Sequence, residues 1–366
     1  MEGEGFSFGD GFLRCEDVRV KDIQNGLSTI GIFPSSPCFV YSKKKIVSNI
    51  SAYQTALKML NIPSLLNFSM KANHIPAILE IVRSMECSVS LVSGMELKMA
   101  LKLGFDPRLI VFNGNGKHDW ERVMAITEGC LINVDSTFDL MHTMRICQKL
   151  TKTAKVLLRI NPDIDPQVHP FISTGLATSK FGVSTEDLEE CVSLLEKCSQ
   201  ITLVGLHCHV GSTIQNVSVF RSCTMKLMDL KSELKTRGFN YIKYINIGGG
   251  LDINYKQMAW RTSPARSSCT VALDDGSAQT ADQATLRQFK VTERVSQNDL
   301  NYNSSCSELT CGDLKVPTPG DMVESIQSAL KDHDITLILE PGRSLVGNTA
   351  VLATTVLGTK GNHSKR

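Results

Sequence analysis

Eight short apolar runs repeat along this chain of 366 residues. The runs are rich in β-branched residues, and each except the last is followed by a longer stretch with apolar residues at helical spacing. This alternation is typical of parallel β-strands that are joined by helices. The runs are LLNFSMK (65–71), CSVSLVS (87–93), LIVFNG (109–114), CLINVD (130–135), VLLRIN (156–161), TLVGLHCHV (202–210), YINIGG (244–249) and ITLILEP (335–341).

The number of these units predicts the fold class. Eight β/α units between residues 65 and 341 suit a closed (β/α)8 TIM barrel better than an open doubly wound sheet, which remains the alternative. Helix signals support the assignment: Pro76 suits a first helical turn, and Gly104 and Gly238 follow two other helical stretches. One segment, residues 256–315, is rich in Ser, Thr, Gln, Asn and Asp and lacks periodicity, so we predict a disordered surface insertion there.

Composition narrows the range of partners. The net charge of +2 gives no reason to expect nucleic acid or a membrane surface as a partner. The 12 cysteines include no CxxC pair, which argues against a structural zinc or a disulfide framework and favours a reducing compartment. The N-terminus MEGEGFSFGDGF resembles neither a signal peptide nor a transit peptide. A small-molecule ligand is therefore the partner that we expect.

Polar residues gather at the predicted carboxyl ends of the strands, where barrel enzymes place their chemistry. Burying such groups without partners would cost several kcal/mol each, so we expect them to share a ligand. The residues at these strand ends, with the glycines among them, are Lys71, Ser93, Glu96, Arg159, Asn161, Asp163, His207, His209, Gly211, Ser212, Gly248, Gly249, Gly250, Glu340, Gly342 and Arg343.

Lys71 is the most informative of these residues. A lone lysine at a barrel rim commonly extends to solvent or pairs with a carboxylate. A partly desolvated lysine instead becomes an amine nucleophile, which can form a Schiff base with an aldehyde such as pyridoxal phosphate. Its polar neighbours favour this second interpretation.

The neighbouring strand ends could hold the rest of such a cofactor. The glycines of NIGGGL lack the GxGxxG spacing of a dinucleotide site, but with Ser212 and Arg343 they could form a phosphate cup; a tight turn without a ligand is the alternative. Glu340 could keep a pyridine nitrogen protonated, and His209 could stack on the ring. The pair His207 and His209 leaves a metal site as a minor alternative.

These motifs resemble one protein family. The runs SMKANHIPAIL, LVSGMEL, VFNGNGK, VLLRINPDIDPQVHPFISTG, SKFGV, GLHCHVGSTI, YINIGGGLDINY and ILEPGRSLVGN are similar to those of diaminopimelate decarboxylase, in the group that includes ornithine and arginine decarboxylases. The resemblance implies a pyridoxal phosphate enzyme that converts meso-2,6-diaminopimelate to L-lysine and CO2. It further implies roles for individual residues: Lys71 as the Schiff-base lysine, His209, Ser212, Gly249, Gly250, Glu340, Pro341, Gly342 and Arg343 as cofactor ligands, Arg343 also near the substrate carboxylate, and Glu96 and Arg159 in support.

The resemblance also implies a domain organisation. Residues 1–43 would be an N-terminal remnant of a β-domain, 44–350 the cofactor-binding barrel, and 351–366 the truncated start of the C-terminal β-domain. Family members continue into that domain, which carries a Cys-Glu-Ser-like motif and completes the site across a homodimer. We therefore expect impaired decarboxylation, and a non-catalytic cofactor-binding or regulatory relative is the alternative function. A plastid location is implied for a plant or alga, and a cytoplasmic one otherwise.

Overall fold

The computed structural model describes residues 5–33, 36–168, 173–176, 179–254, 316–331 and 333–357. The predicted insertion at residues 256–315 lies outside the described residues, as do most of the residues of the predicted segment 351–366. None of the helices within the described ranges is long and apolar enough to cross a membrane.

A closed barrel of eight parallel strands forms the centre of the structure, as the alternation predicts. The neighbours around the barrel follow the chain order, and the last strand pairs with the first. The strands are β5 (Ser64–Ser69), β6 (Ser88–Leu91), β7 (Val111–Phe112), β8 (Leu131–Val134), β9 (Ala154–Arg159), β10 (Ile201–His207), β11 (Tyr244–Asn246) and β12 (Thr336–Leu339).

Helices surround this barrel. Serine side chains cap four of them by accepting a hydrogen bond from a backbone N–H group in the first turn, and Pro76 occupies the start of another, as predicted. The helices are α2 (Lys43–Lys58), α3 (Pro76–Ser84), α4 (Gly94–Lys102), α5 (Asp119–Glu128), α6 (Thr137–Leu150), α7 (Thr185–Lys197), α8 (Ser218–Thr236) and α9 (Pro319–Leu330). The last strand is followed by the short helix α10 (Arg343–Val346), which the sequence pattern did not indicate.

Most strands end earlier than their apolar runs predict. Strand β5 ends at Ser69, and Lys71 lies in a 3₁₀ turn, Met70–Ala72. Strand β11 ends at Asn246, because the side-chain oxygen of Asn246 accepts a hydrogen bond from the backbone N–H of Gly248 at 2.8 Å and turns the chain. The residues that the sequence predicts for a site therefore lie on the loops just beyond the strands as well as on the strands themselves.

The barrel interior has an apolar layer below a polar layer. Successive residues of a strand face opposite sides, so residues two apart share a face. One cluster of the core contains Val111, Leu131, Leu157, Val204 and Ile338, each from a different strand. Two residues further along four of these strands stand Asn113, Asn133, Arg159 and Glu340. The same strand faces thus supply a packed floor and, one step higher, polar groups for a site.

Two small antiparallel sheets flank the barrel. Strands β1 (Phe6–Gly9), β2 (Phe12–Cys15) and β3 (Val18–Arg19) form one of them, and helix α1 (Val20–Gly26) follows. Strand β4 (Cys38–Tyr41), which precedes the barrel, pairs with β13 (Ala350–Ala353), which follows it. That these sheets are remnants of a β-domain stays a prediction.

Candidate active site

A cavity of about 430 Å³ opens at the carboxyl ends of the barrel strands. Ten of the sixteen strand-end residues named from the sequence line this one cavity, so the fold brings them together. They are Lys71, Arg159, His207, His209, Ser212, Gly249, Gly250, Glu340, Gly342 and Arg343.

Two of the predicted site residues stand just behind the cavity wall. The backbone carbonyl of Pro341 accepts a hydrogen bond from the N–H of Ser69 at 3.0 Å, which ties the end of β12 to the end of β5. The carboxylate of Glu96 accepts a hydrogen bond from the N–H of Val92 at 2.6 Å, at the start of helix α4. Neither residue lines the cavity, so each can act on a ligand only through its neighbours.

Lys71 contributes an amine to the lining of the cavity. Its side chain is accessible from the cavity, yet the surrounding walls displace enough water to lower the pKa of Lys71. The Glu340 carboxylate opposes this shift, and the nearby positive charge of Arg159 reinforces it. A larger fraction of Lys71 is therefore the neutral amine near neutral pH than in an ordinary exposed lysine.

Glu340 is buried and surrounded by hydrogen-bond donors. Its Oε1 atom accepts hydrogen bonds from Ser90 Oγ at 2.7 Å, from Asn113 Nδ2 at 3.0 Å and from Asn246 Nδ2 at 3.0 Å. The second oxygen, Oε2, accepts from Asn113 Nδ2 at 3.2 Å. Donors that converge on a carboxylate hold it in one orientation, so the Glu340 carboxylate has a fixed position in the cavity wall.

The two histidines of β10 and the loop after it both line the cavity. His209 Nδ1 accepts a hydrogen bond from the N–H of Gly249 at 3.3 Å, which leaves the ring neutral with its proton on Nε2. Burial, together with the positive charges of Lys71 and Arg159, holds the pKa of His209 well below its usual range. His209 therefore offers the cavity a flat uncharged ring.

The glycine turn after β11 brings bare backbone to the cavity. A Cβ atom on Gly249 would lie 2.3 Å from the Glu340 carbonyl oxygen, and one on Gly250 would lie 2.2 Å from the Gly211 carbonyl oxygen. Gly250 also has a φ of +108°, which side chains rarely allow. Only glycine fits at these two positions, and the turn leaves room for an anion beside the backbone.

Arg159 is a buried cation in the wall of the cavity. Its guanidinium lies 3.4 Å from Asp135 Oδ2 and 4.8 Å from the centre of the Phe181 ring. Asp135 also accepts a hydrogen bond from the N–H of Gly182 at 3.1 Å. Burial raises the pKa of Asp135, while Arg159 opposes that shift. These contacts fix the guanidinium beside the cavity.

A second buried charge cluster supports the loops behind this wall. The Lys117 amine and the Arg122 guanidinium each lie 2.7 Å from an oxygen of Asp139, and all three side chains are at most 2% exposed. Lys117 also donates hydrogen bonds to the carbonyl oxygens of Gly114 and Asn133. The cluster thereby joins the loops that follow β7 and β8.

Comparison with known proteins identifies the family. Residues 43–282 match the family model described as "Pyridoxal-dependent decarboxylase, pyridoxal binding domain". The chain is 36% identical to a probable chloroplastic diaminopimelate decarboxylase of Oryza sativa subsp. japonica over 97% of its length, and 30% identical to the diaminopimelate decarboxylase of Aquifex aeolicus over 97%. The chain belongs to the pyridoxal-dependent decarboxylase family.

The family match extends to solved structures. A crystal structure of diaminopimelate decarboxylase from Methanocaldococcus jannaschii in complex with L-lysine superposes with a TM-score of 0.72 and 28% identity, over 96% of this chain and 70% of that one. The present chain spans 60% of the length of the rice relative and 69% of the Aquifex relative.

The cavity fits the cofactor of a pyridoxal-dependent decarboxylase. It combines a partly desolvated amine, a buried carboxylate, a flat neutral ring and a glycine turn. Among the described residues, no group of three or more His, Cys, Asp or Glu side chains could hold a metal ion, so the metal alternative for His207 and His209 gains no support.

Sequence reasoning missed the polar residues that hold Glu340. Ser90, Asn113 and Asn246 all donate to its carboxylate, and Asn133 contacts Asn113. A signal for three of them was present: each asparagine stands two residues beyond an apolar inward-facing residue of its strand.

Proposed function

We propose that this chain is the cofactor-binding barrel of a decarboxylase that converts meso-2,6-diaminopimelate to L-lysine and CO2 with pyridoxal phosphate. The observation that carries the proposal is the position of the Lys71 amine and the Glu340 carboxylate in the wall of one barrel cavity. The relatives named diaminopimelate decarboxylase and the L-lysine bound to one of them support the choice of substrate, since removing CO2 from diaminopimelate leaves lysine.

Each cavity residue has a task that follows from its geometry. Lys71 supplies the amine that would hold the aldehyde carbon of the cofactor, because its lowered pKa makes the neutral form available. Glu340 would accept a hydrogen bond from the pyridine nitrogen and keep it protonated. His209 would lie against the ring face, and its neutral state avoids placing a positive charge there.

The glycine turn beside the cavity suits a phosphate. Gly249 and Gly250 expose backbone, and Ser212 and Arg343 add a hydroxyl group and a positive charge. We also assign Arg343 to the substrate carboxylate, and we give Arg159 a supporting role. When bound, the cofactor supplies the electron sink that accepts the electron pair released as the carboxylate leaves.

The first experiment measures cofactor binding and turnover separately. The purified full chain is incubated with pyridoxal phosphate, and the visible absorbance that survives gel filtration is recorded. Carbon dioxide release is then assayed in separate reactions with meso-diaminopimelate, ornithine and arginine. Retained absorbance with release from diaminopimelate supports the proposal. Retained absorbance without release from any substrate would favour the non-catalytic cofactor-binding relative.

A matched pair of variants tests the role of Lys71. Lys71→Ala should lose the cofactor that borohydride fixes to the parent chain. Lys102→Ala removes an exposed lysine at the end of α4 and should retain it. Equal borohydride-resistant labelling of both variants would contradict the assignment of Lys71.

We also propose that the active assembly is a homodimer. Met95 and Trp120 are 65% and 47% exposed, and the Trp120 ring packs close to Gly94 beside Met95. Apolar side chains that lie together on a surface are typical of interfaces. Light scattering of the holoenzyme would measure the mass, and a monomer that decarboxylates at full rate would contradict the proposal.

The compartment that we propose depends on the organism from which the chain comes. Since the rice relative is described as chloroplastic, we propose a plastid location if the chain comes from a plant or alga, and a cytoplasmic one otherwise. Imaging of the complete protein fused to a fluorescent protein would distinguish the two compartments.

A further inference from the structure

Four polar side chains, three of which line the cavity, form a ring that hydrogen bonds close on all but one side. Its members are Glu340, Asn113, Asn133 and His207, which come from the ends of β12, β7, β8 and β10. Asn113 Nδ2 donates to Glu340, Asn133 Nδ2 lies 2.7 Å from Asn113 Oδ1, and the same nitrogen lies 2.8 Å from His207 Nδ1. On the remaining side, His207 Nε2 lies 3.5 Å from Glu340 Oε2 without forming a hydrogen bond.

Asn246, outside the ring, fixes the direction of the donors. Its Oδ1 accepts a hydrogen bond from the backbone N–H of Gly248, an atom that can only donate. Its Nδ2 must therefore face Glu340 Oε1, at 3.0 Å, and that oxygen must accept. Ser90 Oγ, which donates to the same oxygen at 2.7 Å, agrees with this assignment. Glu340 is thus an acceptor on this side, as an ionised carboxylate is.

The donor and acceptor roles of the other ring members then follow one residue at a time. Because Glu340 accepts, Asn113 presents its Nδ2 to it and its Oδ1 to Asn133. Asn133 must donate from its Nδ2 to Asn113 Oδ1, since two amide oxygens at 2.7 Å would repel each other. The second N–H of that nitrogen points at His207 Nδ1, which must accept. The ring proton of His207 is consequently on Nε2.

This tautomer places an N–H donor at His207 Nε2. His207 is 2% exposed, and its Nε2 atom has no hydrogen-bond partner of good geometry among the described residues. Its nearest carboxylate oxygen is Glu340 Oε2, which accepts a single side-chain hydrogen bond, whereas Oε1 accepts three. A small rotation of either side chain would turn the 3.5 Å contact into a hydrogen bond.

We propose that His207 is a positioning residue for Glu340: as the neutral Nε2–H tautomer, it completes the set of donors around the carboxylate and keeps Glu340 correctly oriented towards the cofactor. This inference rests on the proposed function only for the identity of the ligand that Glu340 faces. The tautomer itself follows from the contacts of the chain.

The electrostatic surroundings of His207 agree with a neutral ring. Arg159 on β9, His209 on the loop after β10 and Lys71 after β5 all face it and disfavour a further positive charge, and Glu340 on β12 is the negative group that opposes them. Together with burial, these groups hold the pKa of His207 well below its usual range. His207 should therefore keep the same tautomer across the physiological pH range.

The direct test reads the tautomer by NMR in the full chain without cofactor. Histidine is labelled with ¹⁵N, long-range ¹H–¹⁵N correlations report which nitrogen carries the proton, and the His207 signals are identified by their loss in His207→Gln. We expect a neutral ring protonated on Nε2 from about pH 8 down to at least about pH 6, below the usual midpoint of about 6.5. A Nδ1–H tautomer, or protonation near that usual midpoint, would overturn the proposal.

Variants test whether the ring imposes the tautomer. Asn133→Leu removes the donor to His207 Nδ1, so the fraction of the Nδ1–H tautomer should rise. Asn67→Leu is the matched control, because Asn67 is an equally buried barrel asparagine whose Nδ2 donates to the carbonyl oxygens of Val89 and Leu109, outside the ring. An unchanged tautomer in Asn133→Leu would show that the ring does not control it.

Cofactor retention connects the tautomer to function. Glutamine can accept from Asn133 and donate towards Glu340, whereas phenylalanine can do neither. His207→Gln should therefore retain pyridoxal phosphate several-fold better than His207→Phe. Equal retention by the two variants would contradict a positioning role for His207. If the parent chain bound no pyridoxal phosphate, the proposed function would fail while the NMR result still decided the tautomer.

Discussion

Replacing Asp139 by Asn should destabilise the chain far more than the same replacement at Asp22. Asp139 lies 2.7 Å from Lys117 and 2.7 Å from Arg122, and the three side chains are 1%, 1% and 2% exposed. Asparagine keeps the shape but removes the charge, so two buried cations lose their counter-ion. Removing one partner of a buried ion pair typically costs about 3–5 kcal/mol, and we expect a loss in that range.

Asp22 provides a control with the same chemistry and distance. It also lies 2.7 Å from an arginine, Arg19, but the Arg19 and Asp22 side chains are 44% and 46% exposed. Exposed ion pairs contribute about 0.2–1 kcal/mol, because water screens them and the side chains lose conformational freedom. The two variants therefore differ chiefly in burial.

Urea unfolding of the full chain, followed by circular dichroism, would give both free energies of unfolding. Equal losses in the two variants would refute the argument from burial.

The pH dependence of the free energy of unfolding gives a second check. Desolvation already lowers the pKa of Lys117, and losing Asp139 should lower it further. The unfolded state then binds more protons than the folded state below the unfolded pKa of about 10.4, so stability rises with pH. The difference between Asp139→Asn and the parent chain should shrink from about pH 7 to about pH 9.5.

Two further predictions concern the cavity. Gly249→Ala should cost about 1–3 kcal/mol in urea unfolding and weaken pyridoxal phosphate retention, because the new Cβ would lie 2.3 Å from a backbone oxygen of Glu340 that no rotamer change can move. Gly26→Ala, where nothing lies within 4 Å, should be neutral or stabilising by up to about 1 kcal/mol, and similar losses in both variants would contradict the close approach at Gly249. The lowered pKa of Lys71 predicts that borohydride-fixed labelling by pyridoxal phosphate, measured by mass spectrometry against pH, rises with a midpoint below the ordinary lysine value of about 10.4; a midpoint at or above that value would contradict it.

The barrel could be predicted because its signal is local. Each apolar run is contiguous in sequence, and burial on both faces of a parallel strand requires such a run. Lys71 and Glu340 could be recognised in the same way, since a charged residue at the end of an apolar strand is conspicuous by itself. For these residues, chain position alone was enough to place them at the cavity.

The support of Glu340 could not be predicted in the same way. Asn113, Asn133 and Asn246 reach one another from strands that are distant in sequence, and an asparagine after an apolar run is equally typical of a turn. Barrel closure decides between these interpretations, because it determines which side chains meet across the interior. The exact ends of the strands depend likewise on single hydrogen bonds, such as that from Gly248 to Asn246.

The pairing of β4 with β13 has a consequence for the connectivity of the barrel. Val40 and Val351 are direct partners in this ladder, so the chain enters and leaves the eight-stranded ring at neighbouring points. Those two points could be linked by a short peptide and the chain reopened in another surface loop. A circular permutant of this kind would preserve every strand neighbour, because the order of strands around a closed ring has no first member.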